Sequence, residues 1–338
     1  LVQSLSISGN RMFKIIIGLL FSIGGLYFAF REIDLALLGD VFTAASIEWI
    51  ILAVLLMIFS VWIRAYRWQA LLEPIESIPM QPLFSATAIG YFGNAVLPMR
   101  LGEILRAYAI GNENTTVSRA AAFGTIVVER FVDMIGALVL MAIFFFLYDV
   151  PPVLKQGGIV LTGIVASCIL ALWWMAKRHE DWVVKFENSP KYQHGIRLKF
   201  RGIFNSFISG LIAVSEVKRK GTVFFISVLL WGIYLVITYL SGLAVHETLT
   251  WVEAGVILVG TTMVIAVPSA PGFIGTYHAS AIFIMVQAFG RELTGAQAFA
   301  LVNHAIGFIP LVVVGAYFFF NSSLKVGDLR KLDIKTVE

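Results

Sequence analysis

Residues 86–110 read ATAIGYFGNAVLPMRLGEILRAYAI, and the interpretation of the whole chain starts from this stretch. It begins like a membrane span and then acquires residues that interrupt a helix, namely Gly90, Gly93, Asn94 and Pro98. Because proline lacks an N–H and clashes with the preceding turn, the sequence predicts a helix break at Leu97. Pro98 is then expected in the first turn of a second helix, where the missing N–H costs nothing.

Three ionisable residues follow the predicted break. Arg100, Glu103 and Arg106 are spaced three apart, so they share one flank of the second helix. Ionisable groups at membrane depth face protein or a water-filled cavity, and they are functional candidates by default. We predict that the two arginines cradle a phosphate at the start of a half-helix, with Glu103 orienting one of them. Asn94 and Pro98 of the break belong to the same predicted binding site. A buried Arg–Glu–Arg triad that only fixes the local fold is the alternative.

A second apolar run is interrupted in the same way at residues 265–278. Pro98 and Gly102 can be laid over Pro268 and Gly272. Paired interruptions by glycine and proline in two halves of a chain indicate a transporter site near the bilayer midplane. We therefore predict a second half-helix start that offers N–H groups to an anion, formed by Ser269, Pro271 and Gly272 together with Gly275. A plain turn between two spans is the alternative.

The composition is that of a polytopic helical membrane protein. Of the 338 residues, 59% are hydrophobic and 14% are charged, and the mean hydropathy is +0.86. The single cysteine, Cys168, excludes a disulfide within the chain, and the five histidines show no metal-ligand spacing. We predict no metal, no cofactor and no nucleic-acid partner. Six full spans are predicted: 13–30, 47–63, 131–148, 158–175, 223–245 and 293–320.

The distribution of Lys and Arg predicts the orientation. Arg64 and Arg67 are interpreted as the cytoplasmic end of the span 47–63, which places the N-terminus and residues 64–83 inside. Residues 176–222 carry ten Lys/Arg against four Asp/Glu, a net charge of +6, so they and the tail 321–338 are also predicted to be cytoplasmic. Within 176–222 an amphipathic helix either lies in the interface, attracted to anionic lipid, or packs under the protein itself.

These charges place both ends of the first break inside and both ends of the second outside. The halves 11–149 and 158–320 then each contain span, span, hairpin and span in opposite orientation, which is an inverted-topology repeat. The predicted fold is an all-α polytopic membrane protein with one transmembrane domain, 1–338. It has about six full spans and two re-entrant helical hairpins. Two full crossings in place of each hairpin satisfy the same charges, so both topologies fit.

Further polar residues are candidates for gating or coupling. Glu129, Arg130 and Asp133 fit one face of a helix turn, and a salt-bridge cluster that anchors the span is the alternative. Tyr277 and His278 follow the second break, and His304 lies in the last predicted span. Histidine titrates near neutral pH, so both histidines are candidates for coupling. Asn303 and His304 fall where Glu129 and Arg130 fall in the first half. For His278 and His304 the alternative is a hydrogen-bonded, buried side chain.

Three motifs in this order resemble one family, the flippase-like domain family, also called the lysylphosphatidylglycerol synthase transmembrane region. The motifs are Asn94-x-x-x-Pro98-x-Arg100-x-Gly102-Glu103-x-x-Arg106, Glu129-Arg130-x-x-Asp133, and Pro268-x-x-Pro271-Gly272-x-x-Gly275. The family includes the flippase half of the bacterial multiple peptide resistance factor. The resemblance implies a prokaryotic cytoplasmic-membrane protein that handles a lipid or a lipid-linked headgroup. The family often has an acidic residue shortly after the last motif, whereas this chain has Thr276-Tyr277-His278.

The function predicted from these features is a lipid flippase or transporter, not an enzyme. Its partner is a membrane lipid with an anionic headgroup or a polyprenyl phosphate, and a homo-oligomer or a membrane partner protein is compatible with it. A membrane-embedded enzyme acting on a lipid-linked sugar or phosphate is the first alternative, and it would have to use Glu103, Asp133 or His278. An accessory subunit of a lipid or envelope synthesis complex is the second, with 176–222 as its docking surface.

Overall fold

The computed structural model describes residues 35–97, 101–111, 116–178, 216–266 and 271–322, with 27, 202, 205–210, 212 and 324 as shorter pieces. Within these residues every regular element is helical and no strand occurs. Pro98, Arg100 and Ser269 lie outside them, as do the span 13–30 and most of the segment 176–222. The all-α polytopic fold class predicted from the sequence is confirmed.

Besides the short helical piece 205–210, the described residues contain ten longer helices, numbered here in chain order. Their bounds are α1 Leu35–Ala44, α2 Ile47–Leu72, α3 Met80–Val96, α4 Gly102–Gly111, α5 Arg119–Leu147, α6 Pro152–Lys177, α7 Lys220–Ala244, α8 Trp251–Ala266, α9 Thr276–Phe283 and α10 Leu293–Phe320. A 3₁₀ turn at Pro271–Phe273 precedes α9, and a π-helical turn at Ile284–Ala288 follows it.

Five of these helices are long and apolar enough to cross a membrane. They correspond to five of the six predicted full spans, and α10 has the predicted bounds of 293–320. Three spans continue past charged residues that were predicted to lie outside them, namely α2, α5 and α6, the last of which begins at Pro152 and includes Lys155. Helix α2 extends beyond residue 63 to Leu72, and α5 begins at Arg119 rather than at residue 131. Both continue because their charged side chains pair with each other in the interior.

The two predicted breaks interrupt the helices as expected. Helix α3 ends at Val96, and Leu97 has the extended backbone angles φ −97° and ψ 141°. Helix α4 begins at Gly102. The place predicted for Pro98 in the first turn of this helix lies outside the described residues. In the second half, α8 ends at Ala266 and α9 begins at Thr276, within the run 265–278 that was predicted to be interrupted.

Each broken helix folds back on its partner. Helix α3 packs along α4, and α8 packs along α9. Helix α3 also contacts α10 and the turn Pro271–Phe273, so the second break lies against the helix that leads to the first. Small residues make these close approaches, as they do in membrane interiors generally, and Gly315 of α10 lies against the Ala88 carbonyl of α3.

Part of the segment 176–222 packs on the protein itself. Ile208 is fully buried, and the ring of Phe207 lies 6.0 Å from that of Phe123 on α5. A Cβ atom on Gly210 would collide with the carbonyl oxygen of Ala121. The described piece 205–210 thus follows the second of the two interpretations of the amphipathic pattern, in which the helix packs under the protein.

Candidate functional site: a buried ion cluster beside an amphipathic cavity

The first break is built around an intimate contact between α3 and α4. The backbone N–H of Gly102 donates to the side-chain oxygen of Asn94 at 2.9 Å, which caps the start of α4. A Cβ atom on Gly102 would collide with the carbonyl oxygen of Gly90, and one on Gly93 would lie 2.8 Å from the Cα of Gly102. Glycine is therefore required where the two helices touch, and Asn94 has a structural role in the hairpin.

A carboxylate without any solvent exposure lies at the centre of the site. Glu129 of α5 accepts ion pairs from the guanidinium groups of four arginines. The nearest N–O distances are 3.1 Å to Arg64, 3.3 Å to Arg67, 3.0 Å to Arg106 and 2.8 Å to Arg130. Removing one partner from such a buried group leaves an uncompensated charge, so these residues depend on one another.

Asp133, one helical turn further along α5, adds three more ion pairs. Its carboxylate lies 2.7 Å from Arg64, 2.7 Å from Arg67 and 3.4 Å from Arg130. Arg64 also donates to the hydroxyl of Tyr234 at 3.0 Å, which connects the cluster to α7. The ion cluster thus ties together α2, α4, α5 and α7, and it is defined by Arg64, Arg67, Glu103, Arg106, Glu129, Arg130 and Asp133.

Glu103 does not pair with Arg106 as the sequence predicted. Its carboxylate faces Arg130 on α5 at 3.8 Å, while Arg106 turns inward to Glu129. Arg106 is held there by Trp68, whose ring centroid lies 3.9 Å from the guanidinium carbon. Residues on one flank of a helix need not pair when a neighbouring helix offers a better-buried partner. Of the two arginines that Glu103 was predicted to orient, Arg106 is thus paired elsewhere, and Arg100 lies outside the described residues.

Arg64 and Arg67 are the members of the candidate site that the sequence interpretation missed. Their side chains are only 7% and 0% exposed, so they belong to the interior ion cluster rather than to a solvent-exposed end of the span. The signal was present, because Trp68, Leu71 and Leu72 continue the apolar helical pattern past both arginines. A helix extended through these residues would have placed the two charges inside the protein.

The ion cluster carries a net positive charge. Among the described residues it contains four arginines and three carboxylates, a surplus of +1. Exposure is uneven, since the side chain of Arg130 is 31% exposed whereas that of Arg106 is 3% exposed. Arg130 is thus the cationic group of the cluster best placed to meet a ligand.

A cavity of about 620 Å³ lies beside the ion cluster. Its wall contains eight of the predicted site residues, namely Asn94, Glu103, Arg130, Asp133, Gly272, Tyr277, Asn303 and His304. Most of the remaining wall is apolar, with Met57, Phe131, Leu230 and Leu311 among its members. Arg106 borders a separate recess of about 10 Å³, the room of one water molecule.

The second half supplies hydrogen-bonding groups to the cavity. Asn303 donates to the hydroxyl of Tyr277 at 2.6 Å and accepts from Ser241 at 3.1 Å. His304 Nε2 lies 2.8 Å from the carbonyl oxygen of Gly272, so this nitrogen is the protonated one. Asn303 and His304 of α10 therefore face the same cavity as Arg130 of α5, in line with their corresponding places in the two halves.

The turn after the second break is backbone-strained. Gly272 and Gly275 have φ angles of 70° and 92°, and Phe273 has the unusual φ of 57° for a residue with a side chain. The Gly275 N–H donates to His278 Nδ1 at 3.3 Å, and His278 is buried. His278 therefore caps α9 behind the cavity wall, and Pro271 lies in the 3₁₀ turn rather than at a helix start.

Taken as a class, this is a polytopic α-helical membrane protein with a charged cluster in its interior and a largely apolar cavity next to it. The family model that describes the lysylphosphatidylglycerol synthase TM region matches residues 15–315 of the sequence, and the chain belongs to this family. The resemblance drawn from the three motifs is confirmed.

Two archaeal relatives agree with this membership. A UPF0104 membrane protein of Pyrococcus horikoshii is 25% identical over 309 residues, which are 84% of this chain and 90% of the relative. A UPF0104 membrane protein of Methanocaldococcus jannaschii is 22% identical over 229 residues, which are 68% of this chain and 93% of the relative. Both names state a membrane protein and no activity.

Proposed function

We propose that the protein moves an anionic, phosphate-bearing lipid or lipid-linked headgroup across a prokaryotic cytoplasmic membrane. The headgroup enters the cavity and meets Arg130, while the acyl or prenyl chain stays among the apolar side chains of the wall or in the bilayer. The two broken helices alternate access to this site from the two leaflets, as re-entrant hairpins of an inverted repeat with both chain termini in the cytoplasm. Membership in a lipid-related family supports the lipid class.

The single observation that carries the proposal is the positive surplus of the ion cluster at the wall of an apolar cavity. An arginine at the centre of a bilayer costs about 2.5–3.5 kcal/mol on insertion scales, so its charge calls for compensation. Glu129 and Asp133 compensate the deeper arginines. Arg130 shares these carboxylates with the other arginines and contacts Glu103 only at 3.8 Å, so an arriving phosphate would complete its coordination.

The apolar part of the cavity supports a lipid rather than a soluble anion. Most polar groups of the cavity lie on helices α2 to α5 and α8 to α10. The rest of the wall is formed mainly by methionine, leucine, isoleucine, valine and phenylalanine side chains. A free phosphate would lose its hydration shell beside such a wall and would gain no favourable contact with the apolar side chains. A lipid would gain apolar contacts there through its hydrocarbon chain. The same cavity thus accepts the charged and the apolar parts of one amphipathic molecule.

We also propose that the protein is a transporter and not an enzyme. The carboxylates that acid–base chemistry would need are engaged in ion pairs, with Glu129 and Asp133 each facing at least three arginines. Lipid recovered after a transport assay should therefore have the mass of the lipid supplied. A new lipid species that forms only with active protein would establish the enzyme alternative instead.

Reconstitution tests the transport function. Purified protein in liposomes should move a phosphate-bearing anionic lipid between leaflets, measured with a reagent that reaches only the outer leaflet. Protein-free liposomes and liposomes containing an unrelated helical membrane protein are the controls. Rates equal to those of both controls, for diacyl and polyprenyl phosphate lipids alike, would contradict the proposal.

A further inference from the structure

The cavity wall has two chemically different parts. The charged wall consists of Arg64, Tyr91, Asn94, Glu103, Arg130 and Asp133, from α2 to α5. The neutral wall consists of Thr261, Thr262, Gly272, Tyr277, Asn303, His304 and Phe308, from α8 to α10 and the turn between α8 and α9. Among the described residues, those that line the cavity from α8 onward include no Asp, Glu, Lys or Arg.

The hydrogen bonds within the neutral wall fix which groups remain for a ligand. The hydroxyls of Thr261 and Thr262 donate to backbone carbonyls at 2.7 Å, so each oxygen keeps acceptor capacity. His304 donates through Nε2, so Nδ1 is an acceptor. The Tyr277 hydroxyl already accepts from Asn303, and its own proton can be donated. The neutral wall therefore offers both acceptors and a donor.

A mixed set of donors and acceptors matches hydroxyl groups, each of which donates one hydrogen bond and accepts others. An ammonium group would use the acceptors but would be buried at the neutral wall without a counter-charge, which is costly. The rings of Tyr277, His304 and Phe308 add flat apolar faces, with His304 and Phe308 stacked at 5.3 Å. Such faces suit the C–H surface of a polyol.

We infer that the neutral wall binds an uncharged polyhydroxyl headgroup, a sugar or another polyol, whose phosphate meets Arg130 on the charged wall. This inference rests on the proposed transport function and specifies its substrate class. The lipid anchor is either a diacylglycerol or a polyprenol, because the two walls recognise only the phosphate and the polyol. The experiment therefore includes both anchors.

The test compares four lipids in proteoliposomes with a leaflet-specific readout. Phosphatidylinositol and a hexosyl phosphopolyprenol carry a polyol on phosphate, phosphatidic acid carries phosphate alone, and phosphatidylethanolamine carries an amine. Wild-type protein should move at least one of the two polyol lipids several-fold faster than phosphatidic acid and phosphatidylethanolamine. The faster of the two polyol lipids identifies the anchor.

Two variants and a matched control test the neutral wall itself. Tyr277→Phe removes one hydroxyl, and Thr262→Val removes another without leaving a buried group unpaired. Each should lower the ratio of polyol-lipid to phosphatidic acid transport about two- to tenfold, the effect of one hydrogen bond. Thr162→Val is the control, since that hydroxyl donates to the Gly158 carbonyl in the same way at 2.8 Å but does not line the cavity.

The outcomes separate the two proposals. If no anionic lipid moves, the transport function itself fails. If phosphatidic acid moves as fast as the polyol lipids and both variants keep the wild-type ratio, transport stands and the polyol inference is overturned. Preference for phosphatidylethanolamine would overturn it as well. Should Tyr277→Phe fail to fold, because Asn303 loses a partner, Thr262→Val against Thr162→Val decides alone.

Discussion

The guanidinium of Arg106 lies 3.0 Å from the carboxylate of Glu129, across the boundary between α4 and α5. This contact joins the helix that follows the first break to a long membrane span. Glu129 simultaneously contacts two arginines of α2, so any movement of α4 changes the electrostatic surroundings of α2 and α5. The ion cluster thus holds these helices together and also borders the cavity.

The first prediction concerns the contribution of the ion cluster to the stability of the protein. Glu129→Gln removes the charge that faces four arginines, and breaking a buried ion pair in this way costs about 3–5 kcal/mol. The variant should unfold at a clearly lower temperature in detergent. Glu73→Gln is the control, because Glu73 pairs with Arg219 near the surface, where their side chains are 37% and 54% exposed, and such pairs contribute about 0–1 kcal/mol. Equal melting temperatures for the two variants would contradict a stabilising role of Glu129 in the ion cluster.

The second prediction concerns the α3–α4 hairpin. Gly102→Ala places a methyl group against the Gly90 carbonyl and Asn94, so the hairpin must open and the protein should lose stability. Gly163→Ala on α6 is the matched control, because nothing lies within 4 Å of its added Cβ and alanine favours a helix by up to about 1 kcal/mol. Thermal unfolding of both variants checks this. A Gly102→Ala protein as stable as the control would show that the contact is not required.

The third prediction concerns Glu103, which moderates Arg130 rather than Arg106. Glu103→Gln raises the surplus charge of the ion cluster from +1 to +2 and frees Arg130 from an ion pair of about 0.5–1 kcal/mol. Binding of an anionic lipid should tighten about two- to fivefold, and release should slow. Lipid binding and thermal stability are measured on the same purified sample. Unchanged lipid affinity per folded molecule, with lowered stability, would assign Glu103 a structural role only.

The fourth prediction concerns orientation. The finding that Arg64 and Arg67 are internal removes two of the charges used to place the cytoplasmic side, but the net +6 of residues 176–222 still predicts that this segment is cytoplasmic. In a Cys168→Ala background, an impermeant thiol reagent added outside intact cells should label a cysteine at Gln156 and miss one at Lys218. Both positions are exposed. The reverse pattern would invert the topology.

Helix ends and breaks were predictable where local chemistry decides them. The end of α3 before Pro98 follows from proline geometry, and the bounds of α10 follow from a mostly apolar run without a charged residue. The ion pairs of the cluster could not be predicted from the sequence, because Arg64 and Glu129 are 65 residues apart and meet only through helix packing. Spacing along one helix put Glu103 beside Arg100 and Arg106, but in the structure Glu103 faces Arg130 and Arg106 pairs with Glu129. The orienting role of Asn94 in the hairpin likewise depends on a contact between two helices.

Arg130 is the residue on which the account depends most, because it belongs to the ion cluster and lines the cavity. Arg130→Lys retains the charge but loses the two-pronged geometry that suits phosphate, so it should transport slowly. Arg130→Gln also loses the charge, and removing such a group costs about 2 kcal/mol or more of binding, a factor of roughly thirty.

The most direct test is the transport rate of an anionic phosphate lipid in liposomes containing equal amounts of folded wild-type, Arg130→Lys and Arg130→Gln protein. The account predicts that the rate falls from wild type to lysine and again from lysine to glutamine, while detergent-solubilised samples remain monodisperse. Wild-type transport by folded Arg130→Gln protein would contradict it.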